Sequence, residues 1–361
     1  ENFSVEVLDI VLLAFTQQYK KENSKGCDMM KEVLARCPNN FQRAVQHELQ
    51  QIKAGHRNSS DLTNGNLLSE AVFEIALIAP NVLNLVLPAF AEDLTQGETQ
   101  TRICAIKLLG ALFSVGNFYK DFREVFVDFK RRTGDKDVNV RRAMVSVMHT
   151  LVSDKSELSS IFMQDKWSVN GEDREAPMRT LMLDVDERVR KDTIDAVVEL
   201  CVQNGDSVPE SLLRLIGDRV KDKKVIVRHA ALSGLSTLYQ KYCAPFDRSA
   251  MSDNITDKYA WIPSQIIGLY RVDQESRSVV AKCIEDICLS PKDSDRPLSA
   301  VALDFWCVLD APGRDGMVSM LKRRNQFSEL FLRLVNMRDQ FGGGDLDDPQ
   351  GGAVEGDLIT K

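Results

Sequence analysis

The stretch Asp184-Val-Asp-Glu-Arg-Val-Arg190, continuing from Lys191 to Cys201, decides the fold of this chain. From its second valine onward, apolar or short side chains fall at every third or fourth position: Val189, Thr193, Ala196, Val197 and Leu200. Because an α-helix has about 3.6 residues per turn, this spacing places the five side chains on one face. Acidic residues just before such a stripe are typical of a turn that opens a helix. The stretch therefore predicts a turn followed by an amphipathic helix.

The same pattern occurs five times in the chain, each time with an arginine directly after the first position of the stripe. These arginines are Arg102, Arg141, Arg190, Arg228 and Arg277. Successive copies lie about 40 to 50 residues apart, which is the period of HEAT and armadillo-type repeats. Such repeats stack two or three helices per unit, so that each unit packs only on its neighbours. We therefore predict an all-α fold, an α-solenoid of HEAT repeats, over residues 1–340.

Aspartates stand at fixed positions before these arginines. Asp135, Asp184 and Asp222 lie six residues before theirs, in the predicted turn between the two helices. Asp137 and Asp186 lie four residues before theirs, where a carboxylate caps the first amides of a helix. The resulting D-x-[DK]-x-x-V-R pattern resembles the HEAT consensus. That resemblance implies a ladder in which turn aspartates and helix arginines bond within and between neighbouring repeats.

The composition indicates a folded chain with an acidic tail. Its 361 residues are 43% hydrophobic and 27% charged, with a net charge of −7, which suits a packed core. The sequence begins without methionine, so we expect the solenoid to be a fragment of a longer array. Residues 341–361 are rich in glycine and aspartate, and this composition predicts a disordered tail.

Motifs for catalysis or cofactor binding are missing from the sequence. The four histidines stand in no H-E-x-x-H arrangement, the eight cysteines form no C-x-x-C pair, and no phosphate-binding glycine loop is present. No run of about 18 apolar residues could cross a bilayer. We predict a non-enzymatic protein of a reducing compartment, with no cofactor, no structural metal, no membrane span and no small-molecule substrate.

One region of the chain is basic although the net charge is negative. Between Ser211 and Pro245, seven basic residues stand against two acidic ones. This bias is compatible with a solvated edge of the solenoid, and also with a docking surface for an acidic peptide or for nucleic acid. The acidic chain as a whole does not fit a protein that coats DNA.

Two segments beside this basic region resemble a known family. They are Arg219-Val-Lys-Asp-Lys-Lys-Val-Ile-Val-Arg-His-Ala-Ala-Leu-Ser-Gly-Leu-Ser-Thr-Leu-Tyr-Gln-Lys-Tyr242 and Tyr259-Ala-Trp-Ile-Pro-Ser-Gln-Ile-Ile-Gly-Leu-Tyr270. Both are similar to the precocious-dissociation-of-sisters family, the HEAT-repeat regulators of cohesin. The Trp-Ile element of the second segment is fairly specific, whereas the Val-Arg repeats fit any HEAT protein. Residues 14–66 depart widely from the family pattern.

The resemblance implies a scaffold that binds the kleisin subunit of the cohesin complex and acts with the wings-apart-like release factor. It would regulate cohesin release and maintenance in sister-chromatid cohesion, in the nucleus and with indirect chromatin association. The residues that suit a kleisin segment combine positive charge with aromatic anchors. They are Lys221, Lys223, Lys224, Tyr239, Lys241, Tyr242, Trp261 and Tyr270. The aromatics are also compatible with packing between repeats. An alternative is another HEAT adaptor for extended peptides, such as a transport receptor or a phosphatase scaffold.

Overall fold

The computed structural model describes most of the chain from the first repeat to the last. The described residues are 24–36, 75–79, 82–83, 87–154, 157–163, 166–169, 172–205, 208–243, 258–289 and 305–340. The chain forms two compact units, residues 1–238 and residues 239–361. The predicted tail 341–361 lies outside the described residues, as does most of the divergent segment 14–66.

Helices form nearly all of the described part of the first unit. They are α1 (Ser24–Arg36), α2 (Leu87–Gln96), α3 (Thr99–Phe113), α4 (Phe118–Asp121), α5 (Arg123–Arg131), α6 (Val138–Asp154), α7 (Glu157–Met163), α8 (Pro177–Met182), α9 (Glu187–Gln203), α10 (Glu210–Arg219) and α11 (Val225–Tyr242), the last of which runs into the second unit. The second unit continues with α12 (Ile262–Val272), α13 (Arg277–Leu289) and α14 (Ala311–Gln340).

The repeat predicted from the sequence is present as consecutive helix pairs. The second helices α3, α6 and α9 pack side by side, and α8 packs on α9 as the first helix of its pair. All five residues of the stripe that begins at Val189 are buried. Their burial supplies the apolar interface on which the next repeat packs. The prediction of an all-α HEAT-repeat fold is thereby confirmed.

Glycines allow the second helices of successive repeats to approach closely. A Cβ atom on Gly110 of α3 would lie 2.1 Å from Val147 Cγ1 of α6, and one on Gly234 of α11 would lie 2.6 Å from Val198 Cγ2 of α9. Neither distance leaves room for a methyl group. Each glycine lowers the stability of its own helix, but it allows the helices of neighbouring repeats to pack closely.

The phenylalanines from Phe113 to Phe129 form an aromatic core. The Phe113 ring packs edge-on against Phe126 and Phe129, with ring centroids 4.9 Å and 5.3 Å apart. The helix, however, is not continuous through this run. It breaks at Phe122, where φ and ψ are −109° and 53°, so the Phe118 and Phe126 side chains belong to two different helices.

A small hairpin interrupts the helical pattern between α7 and α8. Strands β1 (Lys166–Val169) and β2 (Glu172–Glu175) pair antiparallel, with Lys166 opposite Glu175 and Val169 opposite Glu172. The hairpin lies between Arg141 and Arg190, which are 49 residues apart in the sequence. Within the residues that the structure describes, β1 and β2 are the β-strands of an otherwise helical chain.

Candidate partner-binding surface

An arginine–aspartate ladder joins consecutive repeats of the first unit. The Arg141 guanidinium donates two hydrogen bonds to the Asp184 carboxylate, at 2.6 Å from Nε and 2.9 Å from Nη2. Arg190 binds Asp222 in the same two-pronged way, at 2.9 Å and 2.8 Å. Arg102 reaches the next turn through one bond of 2.9 Å to Asp135. Each arginine thus ties its helix to the turn of the following repeat.

Each turn aspartate also organises its own turn. Asp184 Oδ1 accepts a hydrogen bond from the Asp186 backbone N–H, and Asp222 Oδ1 accepts one from the Lys224 N–H. The next aspartate then caps the helix, since Asp186 accepts from the N–H of Arg188. In the fourth copy a lysine, Lys224, stands at this capping position. The ladder is therefore part of the fold, and its carboxylates are already occupied.

The pKa values of these carboxyl groups reflect their partners. Burial alone would raise the pKa of Asp222, but the hydrogen bonds from Arg190 and from the Lys224 N–H outweigh it, so the pKa lies below its usual range. Hydrogen bonds from Arg188 lower the pKa of Asp186. The carboxyl groups of Asp186 and Asp222 are accordingly ionised at neutral pH.

The fifth copy departs from the equivalence expected for the arginines. Arg102, Arg141, Arg190 and Arg228 each occupy the fourth residue of their helix. Arg277 instead is the first residue of α13, where its Nε donates to the Tyr270 carbonyl oxygen at 3.0 Å. The Ser276 hydroxyl donates to Asp273 at 2.5 Å, which holds the preceding segment as a turn. The helix starts about one turn later relative to its arginine than in the other four copies, so Arg277 stands at its first residue.

The predicted lysines form an exposed basic edge in the first unit. Lys221 and Lys223 are exposed, and within the described part of the chain they form no ion pair. Lys224 Nζ lies 3.6 Å from Glu187 Oε1 in a largely exposed pair. Val225 and Ile226, the first two residues of α11, are 37% and 44% exposed beside these lysines. We call the five residues 221 and 223–226 the basic edge.

The sequence argument missed the apolar half of the basic edge. Val225 and Ile226 precede the buried stripe of α11, and they could have been recognised because neither continues its spacing toward Val227, Ala231 and Leu235. Apolar side chains placed beside uncompensated lysines suit a partner segment that carries both acidic and apolar residues.

The predicted aromatic anchors belong to the second unit, and the structure separates them into two kinds. Tyr239 and Tyr270 are only 2% and 8% exposed, so their rings pack in the core and offer little surface to a partner. Tyr242 is half-buried, and its ring stacks on Tyr259 with centroids 4.8 Å apart. Trp261 is also half-buried, and its indole N–H donates to the Lys258 carbonyl oxygen at 2.9 Å.

Lys241 adds a positive charge beside the stacked tyrosines. Its Nζ atom lies 5.4 Å from the centre of the Tyr242 ring, a distance at which a cation is attracted to an aromatic face. Lys241 itself is exposed. Of the predicted anchors, Tyr242, Trp261 and Lys241 therefore retain surface that a partner can contact.

Other kinds of site find no support in the described residues. Across the ranges given above, no group of three histidine, cysteine, aspartate or glutamate side chains could hold a metal ion. The five cysteines with described surroundings carry free thiols, and burial raises the pKa of Cys243 to about 12. In the same part of the chain, no helix is long and apolar enough to span a bilayer.

Comparisons with known proteins agree with this architecture. The family model for "Sister chromatid cohesion protein PDS5 protein" matches residues 1–357. The sister chromatid cohesion protein PDS5 homolog A from Arabidopsis thaliana is 25% identical over 276 residues, which cover 74% of this chain and 16% of the relative. The human homologue A is 24% identical over 339 residues, covering 93% of this chain and 24% of the relative.

A solved structure of a Pds5–Scc1 complex is similar in fold, with a TM-score of 0.67 and 16% identity, covering 87% of this chain and 49% of that one. The Schizosaccharomyces pombe protein pds5 is 24% identical over 283 residues, covering 77% of this chain and 22% of the relative. The chain thus spans between about a sixth and a quarter of the length of these curated relatives. Because the family model matches nearly the whole sequence, the chain belongs to the sister chromatid cohesion protein PDS5 family.

Proposed function

We propose that this chain is a scaffold that binds the kleisin subunit of cohesin and thereby regulates cohesin release and maintenance in sister-chromatid cohesion. Its family supports the proposal, because the matched solved structure is a complex of Pds5 with Scc1. The family assignment also disfavours the alternative of a transport receptor or a phosphatase scaffold. The PDS5 family is a non-enzymatic HEAT-repeat scaffold, and we extend that property to this chain.

The observation that carries the proposal is the basic edge. Lys221 and Lys223 have no ion-pair partner among the described residues, and the apolar side chains of Val225 and Ile226 are exposed beside them. A kleisin segment with acidic and apolar residues would complement both features. In the second unit, the surface of Tyr242, Trp261 and Lys241 offers aromatic contact with an adjacent positive charge.

Further partners and the location follow from the same reading. The scaffold would act with the wings-apart-like release factor on the cohesin complex, and it would reach chromatin indirectly through cohesin in the nucleus. The basic edge is short, and the chain carries a net charge of −7. Long-range attraction to DNA would therefore be weak compared with a local match to an acidic peptide.

The test is the kinetics of binding between the full chain and the purified kleisin subunit, measured by surface plasmon resonance at two salt concentrations. Lys223→Glu should slow association about ten-fold at low salt and flatten the salt dependence, as charges at an interface rim do. Tyr242→Ala should mainly raise the dissociation rate if its ring is buried by the partner. Both side chains are at least partly exposed, so both variants should fold.

The matched control is Lys282→Glu, which makes the same charge change at an exposed lysine of α13. It should leave both rate constants within about two-fold of the parent, because it alters net charge without altering the basic edge. Equal slowing by Lys223→Glu and Lys282→Glu would assign the effect to net charge and remove the basic edge from the site. Absence of kleisin binding by the parent chain would refute the proposed function.

A further inference from the structure

The ladder arginines hold consecutive turns of the repeats next to each other. The Arg141 guanidinium donates to the Asp135 carbonyl oxygen of its own turn at 2.7 Å, while it binds the Asp184 carboxylate of the next turn. Arg190 donates in the same way to the Asp184 carbonyl oxygen at 2.7 Å and to the Asp222 carboxylate. The three turns therefore lie side by side in one row along an edge of the first unit.

The middle residue of each turn lies at its tip. In all three turns the aspartate accepts a hydrogen bond from the N–H two residues later, so the residue between them protrudes. These middle residues are Lys136, Val185 and Lys223. Val185 is 91% exposed, the highest value of any large apolar side chain in the ranges that the structure describes. We call the three residues the turn edge, which shares Lys223 with the basic edge.

The two outer tips of the turn edge are positively charged. Lys136 and Lys223 are exposed, and neither forms an ion pair with any residue that the structure describes. Asp137 directly follows Lys136, but its carboxylate has other partners. It accepts hydrogen bonds from the Asn139 N–H at 2.8 Å and from the Thr99 hydroxyl at 3.1 Å. Each outer tip therefore suits an acidic side chain of a partner.

The middle tip suits an apolar side chain instead. Asp186 and Glu187 follow Val185, and Asp186 pairs with Arg188 at 3.1 Å. Glu187 lies 3.6 Å from Lys224 in a partly exposed pair. These pairs leave no excess positive charge at the middle tip, whereas the exposed valine offers contact to an apolar residue. A nucleic-acid backbone, whose charges are regularly spaced, matches this order of tips less well than a peptide in which acidic and apolar residues alternate.

The spacing of the turns sets the spacing of the partner's residues. Packed helices lie about 8–10 Å apart, and an extended peptide advances about 3.3 Å per residue, so neighbouring tips are about three residues of extended chain apart. We propose that an extended kleisin segment crosses the turn edge, with an acidic residue at Lys136, an apolar residue at Val185 and a second acidic residue at Lys223. This inference rests on the proposed function, and it lengthens the site from the basic edge across two further repeats.

Binding between the full chain and the purified kleisin subunit tests the two tips that lie outside the basic edge. Lys136→Glu and Val185→Asp should each weaken binding by about five-fold or more, because each places a carboxylate opposite an acidic or an apolar residue of the partner. Both side chains are exposed, so circular dichroism should show that both variants fold. Lys107→Glu and Val272→Asp are the matched controls, since they make the same changes at an exposed lysine of α3 and at a 78% exposed valine of α12. They should stay within about two-fold of the parent.

The outcomes distinguish this inference from the proposed function. Kleisin binding that Lys223→Glu slows, but that Lys136→Glu and Val185→Asp change no more than their controls do, would overturn the turn edge and leave the proposed function in place. Absence of kleisin binding by the parent chain would overturn both.

Photo-crosslinking measures the spacing along the partner. A photoreactive phenylalanine analogue replaces Lys136 in one variant and Lys223 in another, and mass spectrometry identifies the kleisin residues that each captures. The two tips are about 20 Å apart, so an extended segment predicts capture sites about six residues apart, with an apolar residue midway. A helical segment would place the capture sites about 13 residues apart. That larger separation, or capture from position 223 alone, would overturn the proposal.

Discussion

The ladder should contribute most to stability where it is buried, and Asp222→Ala tests this directly. The Asp222 carboxylate accepts two hydrogen bonds from Arg190, a third from the Lys224 N–H at 3.0 Å and a longer one from Arg219 at 3.4 Å. The side chains of Arg190 and Asp222 are 10% and 4% exposed. Removing the aspartate leaves the Arg190 charge largely buried without its partner, which costs about 3–5 kcal/mol.

A nearby ion pair provides the control for burial. Lys191 and Asp195 are joined at 2.6 Å on the surface of α9, with side chains 44% and 51% exposed. Their pair is at least as short as the ladder pair, but exposed pairs at this spacing contribute about 0.3–0.5 kcal/mol. Asp195→Ala should therefore be nearly neutral. The two variants separate the effect of burial from that of distance.

Urea denaturation followed by far-ultraviolet circular dichroism measures the difference. With a slope of about 2 kcal/mol per molar urea, Asp222→Ala should lower the midpoint by about 1.5–2.5 M, and Asp195→Ala by about 0.2 M. The double variant Arg190→Met/Asp222→Leu should recover much of the loss, because it leaves no unpaired charge. Equal midpoints for Asp222→Ala and Asp195→Ala would refute the reasoning.

Three further outcomes are expected. Leu235→Ala should lower the free energy of unfolding by about 2–5 kcal/mol, because the side chain is fully buried, while Ser233→Ala on the exposed side of the same helix should stay within about 0.5 kcal/mol in the same urea titration. Gly110→Ala should destabilise the chain by about 1–3 kcal/mol, because its Cβ would lie 2.1 Å from Val147. Gly268→Ala, whose Cβ would meet no described atom within 4 Å, should stabilise the chain by about 0.4–1 kcal/mol. Thermal melts in which Gly110→Ala is the more stable variant would contradict the packing argument. The free energy of unfolding should fall in acid, because the folded-state pKa values of Asp137, Asp186 and Asp222 are lowered. The stability that these ionised carboxylates contribute is present above the unfolded carboxyl pKa and is lost as pH falls through the folded values. A denaturation midpoint that does not change with pH in the acid range would contradict this expectation.

The sequence predicted the repeat well because local rules determine it. Arg141 and Arg190 follow the same turn and begin the same stripe, so they occupy equivalent positions in the structure. The rule failed at Arg277, which is the first residue of its helix and donates to the Tyr270 carbonyl oxygen. The repeat pattern carries no information about that contact.

The candidate site was less predictable because exposure depends on distant residues. Tyr239 and Tyr242 are three residues apart on α11, yet one is buried and the other half-exposed. The difference reflects what each ring meets, and Tyr242 meets Tyr259 from beyond the insertion.

Hydrogen–deuterium exchange of the full chain, with and without the purified kleisin subunit, tests the central claim most directly. Backbone amides exchange more slowly where a partner covers or stabilises them. Kleisin binding at the basic edge predicts slower exchange in peptides that contain residues 221–228, and in those that contain Lys241 and Tyr242. Peptides from α14 should be unchanged. Exchange rates in residues 221–228 that stay the same under saturating kleisin would contradict the account.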